Sequence, residues 1–106
     1  MQLGFTLFED MVFDGGQVTN ASFADYKIPG FRDIPIMESD LVAASQDTGP
    51  FGAKGVGESS TFGVSPAIAN AIHDAVGVRL MELPIKPETL LRAIRAAEGR
   101  PIEDAE

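Results

Sequence analysis

Leu3, Leu7 and Met11 recur at four-residue intervals, with Phe8 and Val12 beside them. This spacing predicts one apolar helical face across residues 1–13. No capping residue or polar lead-in precedes the pattern, so the chain starts inside it. Gly15-Gly16 is expected to end the helix. Gln17 to Phe23 reads as a short strand or hairpin arm anchored by Val18 and Phe23. Pro29, Gly30 and Pro35 mark turns, and Ile36, Leu41 and Val42 give residues 34–44 a partial strand pattern.

Past a glycine-rich run, Ser65-Pro66 carries a hydroxyl and then a proline, the pairing of a helix N-cap and first position. That helix is expected to reach about Val76, with Ile68, Ala71, Ile72 and Ala75 inward and Gly77 as its stop. Val78 to Leu83 reads as a strand. Pro87 opens a last helix with Leu90, Leu91, Ile94 and Ala97 inward and Gly99 beyond it. The expected class is α+β: a few short strands with helices at both ends. No internal repeat and no dividing linker is visible.

With 106 residues the chain makes at most one small domain. It has room to bury about two-thirds of its unfolded surface, so the core is modest. A hydrophobic share of 44% is ordinary for a folded protein and argues against disorder. The formal charge of −8 argues against nucleic acid and anionic membrane surfaces as partners, since both require clustered Lys and Arg. Part of that charge is the tail Glu103-Asp104-Ala105-Glu106, read as a solvated end. The absence of cysteine excludes disulfides, thiolate catalysis and cysteine-held iron–sulfur clusters within this chain. A single histidine leaves little for a zinc site. No apolar run approaches the ~20 residues of a membrane span. No basic segment precedes an apolar stretch at the start, so no signal peptide is expected and the cytoplasm is the expected compartment.

The chemistry concentrates in residues 49–60, Gly-Pro-Phe-Gly-Ala-Lys-Gly-Val-Gly-Glu-Ser-Ser. Four glycines allow positive φ or a close approach of backbone to a flat or phosphorylated ligand. One carboxylate, Glu58, closes the run. Beside a ligand, a desolvated carboxyl is raised toward working pH and suits a general base. The plainer reading is a surface turn ending in a solvated glutamate.

Gly52-Ala53-Lys54-Gly55-Val56-Gly57-Glu58 resembles the C-terminal signature of the large, molybdopterin-binding subunit of the xanthine dehydrogenase and aldehyde oxidase family. Its flanks are similar too. Asp14-Gly15-Gly16-Gln17-Val18-Thr19-Asn20-Ala21-Ser22-Phe23, Asp25-Tyr26-Lys27-Ile28-Pro29 and Asp33-Ile34-Pro35 resemble blocks of that subunit in order. So do Ser65-Pro66-Ala67-Ile68-Ala69-Asn70-Ala71-Ile72, Asp74-Ala75-Val76-Gly77, Leu83-Pro84 and Pro87-Glu88. The resemblance covers nearly the whole chain and only the tail of the family's subunit. Met1 and Gln2 depart from it, standing where the family often writes Gln and Gly, and no cofactor role is carried to them.

The resemblance implies that residues 1–106 are a C-terminal segment of a molybdopterin-binding catalytic domain. It implies that Glu58 lies beside the molybdenum and takes a proton during hydroxylation of an N-heterocycle or aldehyde, with water as the oxygen source. It implies that Gly55, Val56 and Gly57 form the backbone wall facing the pterin; a tight turn needing positive φ is the reading without it. The implied cofactor is molybdopterin, with its cytosine dinucleotide form a candidate. Iron–sulfur clusters and FAD are expected in partner subunits, beside the remaining part of the molybdopterin-binding subunit and a small-molecule substrate. Lys54 is read as neutralising the anionic cofactor or holding the loop to a carboxylate elsewhere, and equally as a solvated cation. Ser59 and Ser60 read as turn residues, His73 as a surface histidine, Gln17 and Asn20 as turn residues of the hairpin. Phe51 and Phe62 are expected to pack beneath the loop. Two other readings stand beside the enzyme. One is an interaction module that kept the fold and lost the chemistry. The other is a stand-alone phosphate binder, which lacks the Gly-Lys-Ser/Thr signature.

Overall fold

Among the described residues, three helices and one hairpin position otherwise irregular segments. The computed structural model describes residues 1–100; the acidic tail 103–106 lies outside the described residues. In order, the elements are α1 (Gln2–Leu7), β1 (Phe13–Asp14), β2 (Gln17–Val18), α2 (Val64–Val76) and α3 (Pro87–Ala97), with a 3-10 turn at Pro50–Gly52. The α+β expectation stands, with strands shorter than the pattern suggests.

The first helix is shorter than its apolar spacing predicts, stopping at Leu7 rather than Phe13. Side chains further along take over the backbone that would have continued it. Asn20 Oδ1 accepts from the Val12 N–H at 2.9 Å, and its Nδ2 donates to the Asp10 carbonyl at 2.6 Å. The Val12 carbonyl in turn accepts from the Thr19 N–H at 2.9 Å. Gly15 and Gly16 thus turn a hairpin instead of capping a helix. Phe13 pairs with Val18 and Asp14 with Gln17, antiparallel. Both central glycines have positive φ, 52° and 82°, as a two-residue turn matching strand twist requires.

Helix α2 packs on α1. It ends as expected at Gly77, left-handed at φ 74°, whose N–H bonds the His73 carbonyl at 2.8 Å. Its start differs from expectation: Gly63 holds the N-cap position, and Ser65, already inside the helix, makes no cap bond. Helix α3 begins with Pro87 in the first turn, and Gly99 beyond it is left-handed at φ 71°.

Residues 34–44 and 78–83 form no strand. They run extended or irregular without a neighbouring edge to pair with. From the latter stretch only Val78 is buried; with Ile85 it makes the apolar core, and Thr6 is the buried polar residue beside them. The Ile85 N–H bonds the Thr6 carbonyl at 2.6 Å, which ties the segment before α3 to α1. Lys86 and Asp10 form an ion pair at the same junction. Helices α2 and α3 bury less than their patterns predict: Ala71, Ala75, Leu91 and Ala97 are exposed.

Candidate functional site

The glycine-rich run leaves the 3-10 turn and leads to the start of α2. Its one left-handed non-glycine residue is Phe51, at φ 55°, followed by Gly52 at φ 69°. A bulky residue in that region is a genuine outlier. Gly55 and Gly57 do not occupy positive φ, so the tight-turn explanation for them is corrected. Among the described residues, none beyond the chain neighbours stands within 4 Å of a Cβ position on either glycine. Their backbone is bare on the side where a side chain would otherwise stand.

Glu58 follows directly, exposed along with Gly55, Val56 and Gly57. Its carbonyl, not its carboxylate, is the fixed part. The Thr61 N–H donates to Glu58 O at 3.0 Å and the Thr61 hydroxyl at 2.7 Å. The Val64 N–H bonds Thr61 O at 3.3 Å, and α2 begins there. Glu58 is therefore displayed on a backbone-bonded turn that feeds straight into a helix. Ser60 and Thr61 also edge a groove of ≈ 560 Å³, whose other walls include Gln2, Leu3, Pro35 and Met37. Lys54 is exposed. His73 is half-buried on α2. Phe51 and Phe62, expected to pack beneath the loop, stand open, Phe62 at 80% exposure.

One cluster has no signal in the sequence pattern. Thr6 is fully buried, and its hydroxyl lies 2.7 Å from both the Gln2 carbonyl and the Ser65 hydroxyl. Gln2 Nε2 donates to the same Ser65 Oγ at 2.6 Å. Thr6 and Ser65 are 59 residues apart in the chain, and no local pattern pairs them.

Known proteins resemble this chain in sequence and in fold. A family model described as a molybdopterin cofactor-binding domain matches residues 1–35. The putative xanthine dehydrogenase molybdenum-binding subunit XdhA of Escherichia coli (strain K12) is 36% identical over 99 residues, 92% of this chain and 13% of its own length. The aldehyde oxidoreductase molybdenum-binding subunit PaoC of the same organism is 40% identical over 97 residues, 86% of this chain and again 13% of its length. The chain belongs with the molybdenum-binding subunits of the xanthine dehydrogenase and aldehyde oxidase family. Its fold agrees: quinoline 2-oxidoreductase from Pseudomonas putida 86 superposes with a TM-score of 0.75 at 30% identity, covering 91% of this chain and 12% of that one. The resemblance read from the motifs is thus borne out, for a segment spanning about an eighth of its relatives. Among the described residues no helix is long and apolar enough to cross a membrane.

The residues present fit a molybdopterin cofactor. A flat ligand can approach the Gly55–Gly57 backbone without meeting a side chain of either glycine. Among the described residues no group of three or more His, Cys, Asp and Glu is placed to hold a metal ion.

Proposed function

We propose that this chain supplies the proton acceptor and part of the cofactor wall of a molybdenum hydroxylase. The observation that carries the reading is the loop itself. Bare backbone at Gly55 and Gly57 runs directly into Glu58 on a turn fixed by Thr61, in a chain of molybdenum-binding kinship. When bound, a molybdopterin cofactor would supply the two-electron redox chemistry. The chain's own residues do the rest. Gly55, Val56 and Gly57 would hold the cofactor through their backbone. Glu58 takes the proton from the water-derived oxygen that is transferred to an N-heterocycle or an aldehyde. A positioned base contributes about 10²–10⁴-fold to such a step.

Glu58 is exposed here, and a base works best where water is excluded. The cover would come from the remaining part of the molybdopterin-binding subunit. Iron–sulfur and FAD subunits would carry the electrons away. The test is purification of this chain with its natural partners, followed by molybdenum and pterin analysis. Stoichiometric molybdenum and pterin in the complex are expected. A stable complex free of both would leave an interaction module that kept the fold.

A further inference from the structure

We propose that Gln2, Thr6 and Ser65 form a one-way hydrogen-bond circuit that positions the Glu58 turn. The proton directions follow from counting. A hydroxyl has one proton to give and two lone pairs to accept with. Thr6 Oγ1 gives its proton to the Gln2 carbonyl at 2.7 Å, an acceptor only. It therefore has none for Ser65, and in the 2.7 Å contact between the two hydroxyls Ser65 is the donor. Ser65 Oγ in turn accepts from Gln2 Nε2 at 2.6 Å, the amide being a donor there. The circuit leaves the Gln2 side chain, passes through Ser65 and Thr6, and closes on the Gln2 backbone. No buried side-chain polar atom among the described residues is left unsatisfied.

This ring fastens the first turn of α2 to α1, and the Glu58 loop hangs from that turn. Between Ser65 and Glu58 the backbone is spanned by two bonds, Val64 N–H to Thr61 O and Thr61 N–H to Glu58 O. A displacement of Ser65 is passed to Glu58 with little slack. Thr6, at 0% exposure, has no water to replace a lost partner. These are positioning residues, not groups that touch a substrate. Their catalytic meaning rests on the Glu58 reading; their hold on the loop does not.

The experiment is amide hydrogen exchange on the chain assembled with its natural partners, comparing wild type with Thr6→Val, Thr6→Ser and Ser65→Ala. Thr6→Val keeps the shape and removes the acceptor for Ser65; Thr6→Ser keeps the circuit. Exchange at Thr61 and Val64 is expected to rise about ten-fold in Thr6→Val and Ser65→Ala, the scale of one lost net hydrogen bond with a stranded partner. Thr6→Ser should restore wild-type exchange. The amides of Leu90 in α3 and of Glu98 at its C-cap should not change. Exchange at Thr61 and Val64 within two-fold of wild type in both disruptive variants overturns the proposal. So does an equal rise in α3, which would mean general loosening. If Glu58→Gln leaves turnover intact while these amides respond as expected, the base assignment fails and the positioning circuit stands.

Discussion

The Tyr26 hydroxyl donates to Glu9 Oε2 at 2.6 Å, and the same carboxylate's other oxygen fills the space above Gly4 where a Cβ would stand. The hairpin region is thereby latched to α1 through one acidic side chain. Gly4 is buried and also faces Pro29 Cδ, 3.3 Å from its Cβ position. Gly4→Ala is expected to push Glu9 off Tyr26. Hydrogen exchange or a crystal structure of the assembled variant would read this directly. An unchanged Glu9–Tyr26 bond would show that the glycine is not needed for the latch.

That bond also predicts a pH dependence. The Tyr26 phenol is held above its ordinary value, first by the hydrogen bond to Glu9, then by desolvation and by the charge of Glu9. The fold favours the protonated phenol. Its contribution to stability is complete below the unfolded value of about 10 and is lost as pH rises through the higher folded value. Lys86 is raised in the same sense by its bond to Asp10, so both latches weaken on the alkaline side. Tyr26 is the chain's one tyrosine. Isotope-labelled tyrosine in this chain alone therefore gives a single titrating signal inside the complex. Glu9→Gln should lower its midpoint toward the ordinary value. A midpoint that does not move would remove Glu9 as the cause.

The end of α2 and both ends of α3 are legible in the sequence because they are written in rigid chemistry: Gly77, Pro87 and Gly99. The end of α1 is not, because Phe8, Met11 and Val12 continue its apolar spacing. What ends it is Asn20, whose amide binds backbone on both sides of residue 11. The expected strands at 34–44 and 78–83 fail for want of a partner edge, a property no single segment encodes. Ser65 has the composition of an N-cap, yet its hydroxyl goes to a helix at the far end of the chain. The loop Gly55–Glu58 is legible as a motif because its residues are contiguous. What faces it is not, because no described residue of this chain forms that surface.

The chain should not behave as a compact monomer by itself. Its radius of gyration is 18.8 Å and its longest extent 64 Å, against about 13 Å for the radius of a compact domain of this size. Ile36, Leu41 and Val42 are 98%, 81% and 94% exposed on an arm with no regular structure. Such a surface is stable only when covered. Size-exclusion of the chain alone is expected to show aggregation or an expanded profile. A sharp cooperative melt of a monomer would contradict this.

Gly55→Val and Gly57→Val separate two reasons for a glycine. Neither position has positive φ, and neither Cβ would touch a described residue beyond its chain neighbours. The chain's own fold should therefore tolerate both. By contrast, Gly77→Ala, at φ 74° on the end of α2, should cost about 1 kcal/mol through left-handed strain alone. If the loop backs the cofactor, the valine variants should assemble normally and lose molybdenum, while Gly77→Ala keeps its molybdenum and melts earlier. Metal content and melting temperature of the purified complexes give the answer. Full molybdenum loading in Gly55→Val and Gly57→Val would remove the cofactor wall.

Glu58→Gln is the sharpest test of the proposed chemistry. Glutamine keeps the length and hydrogen-bonding reach of the side chain but cannot accept a proton at working pH. The feature that fixes Glu58 in place is its carbonyl, held by Thr61, and the substitution leaves that carbonyl unchanged. Folding, assembly and molybdenum content should therefore stay close to wild type. The rate of enzyme reduction by its substrate, measured per molybdenum, should fall at least ~10²-fold, the low end for a positioned base. Glu58→Asp should retain more rate than Gln, yet fall short of wild type because its carboxylate stops one methylene early. A purely structural glutamate would give the reverse order of effects: altered stability or metal loading, with the per-molybdenum rate preserved. Rapid-reaction reduction normalised to molybdenum distinguishes them. A Glu58→Gln rate within a few-fold of wild type would defeat the assignment.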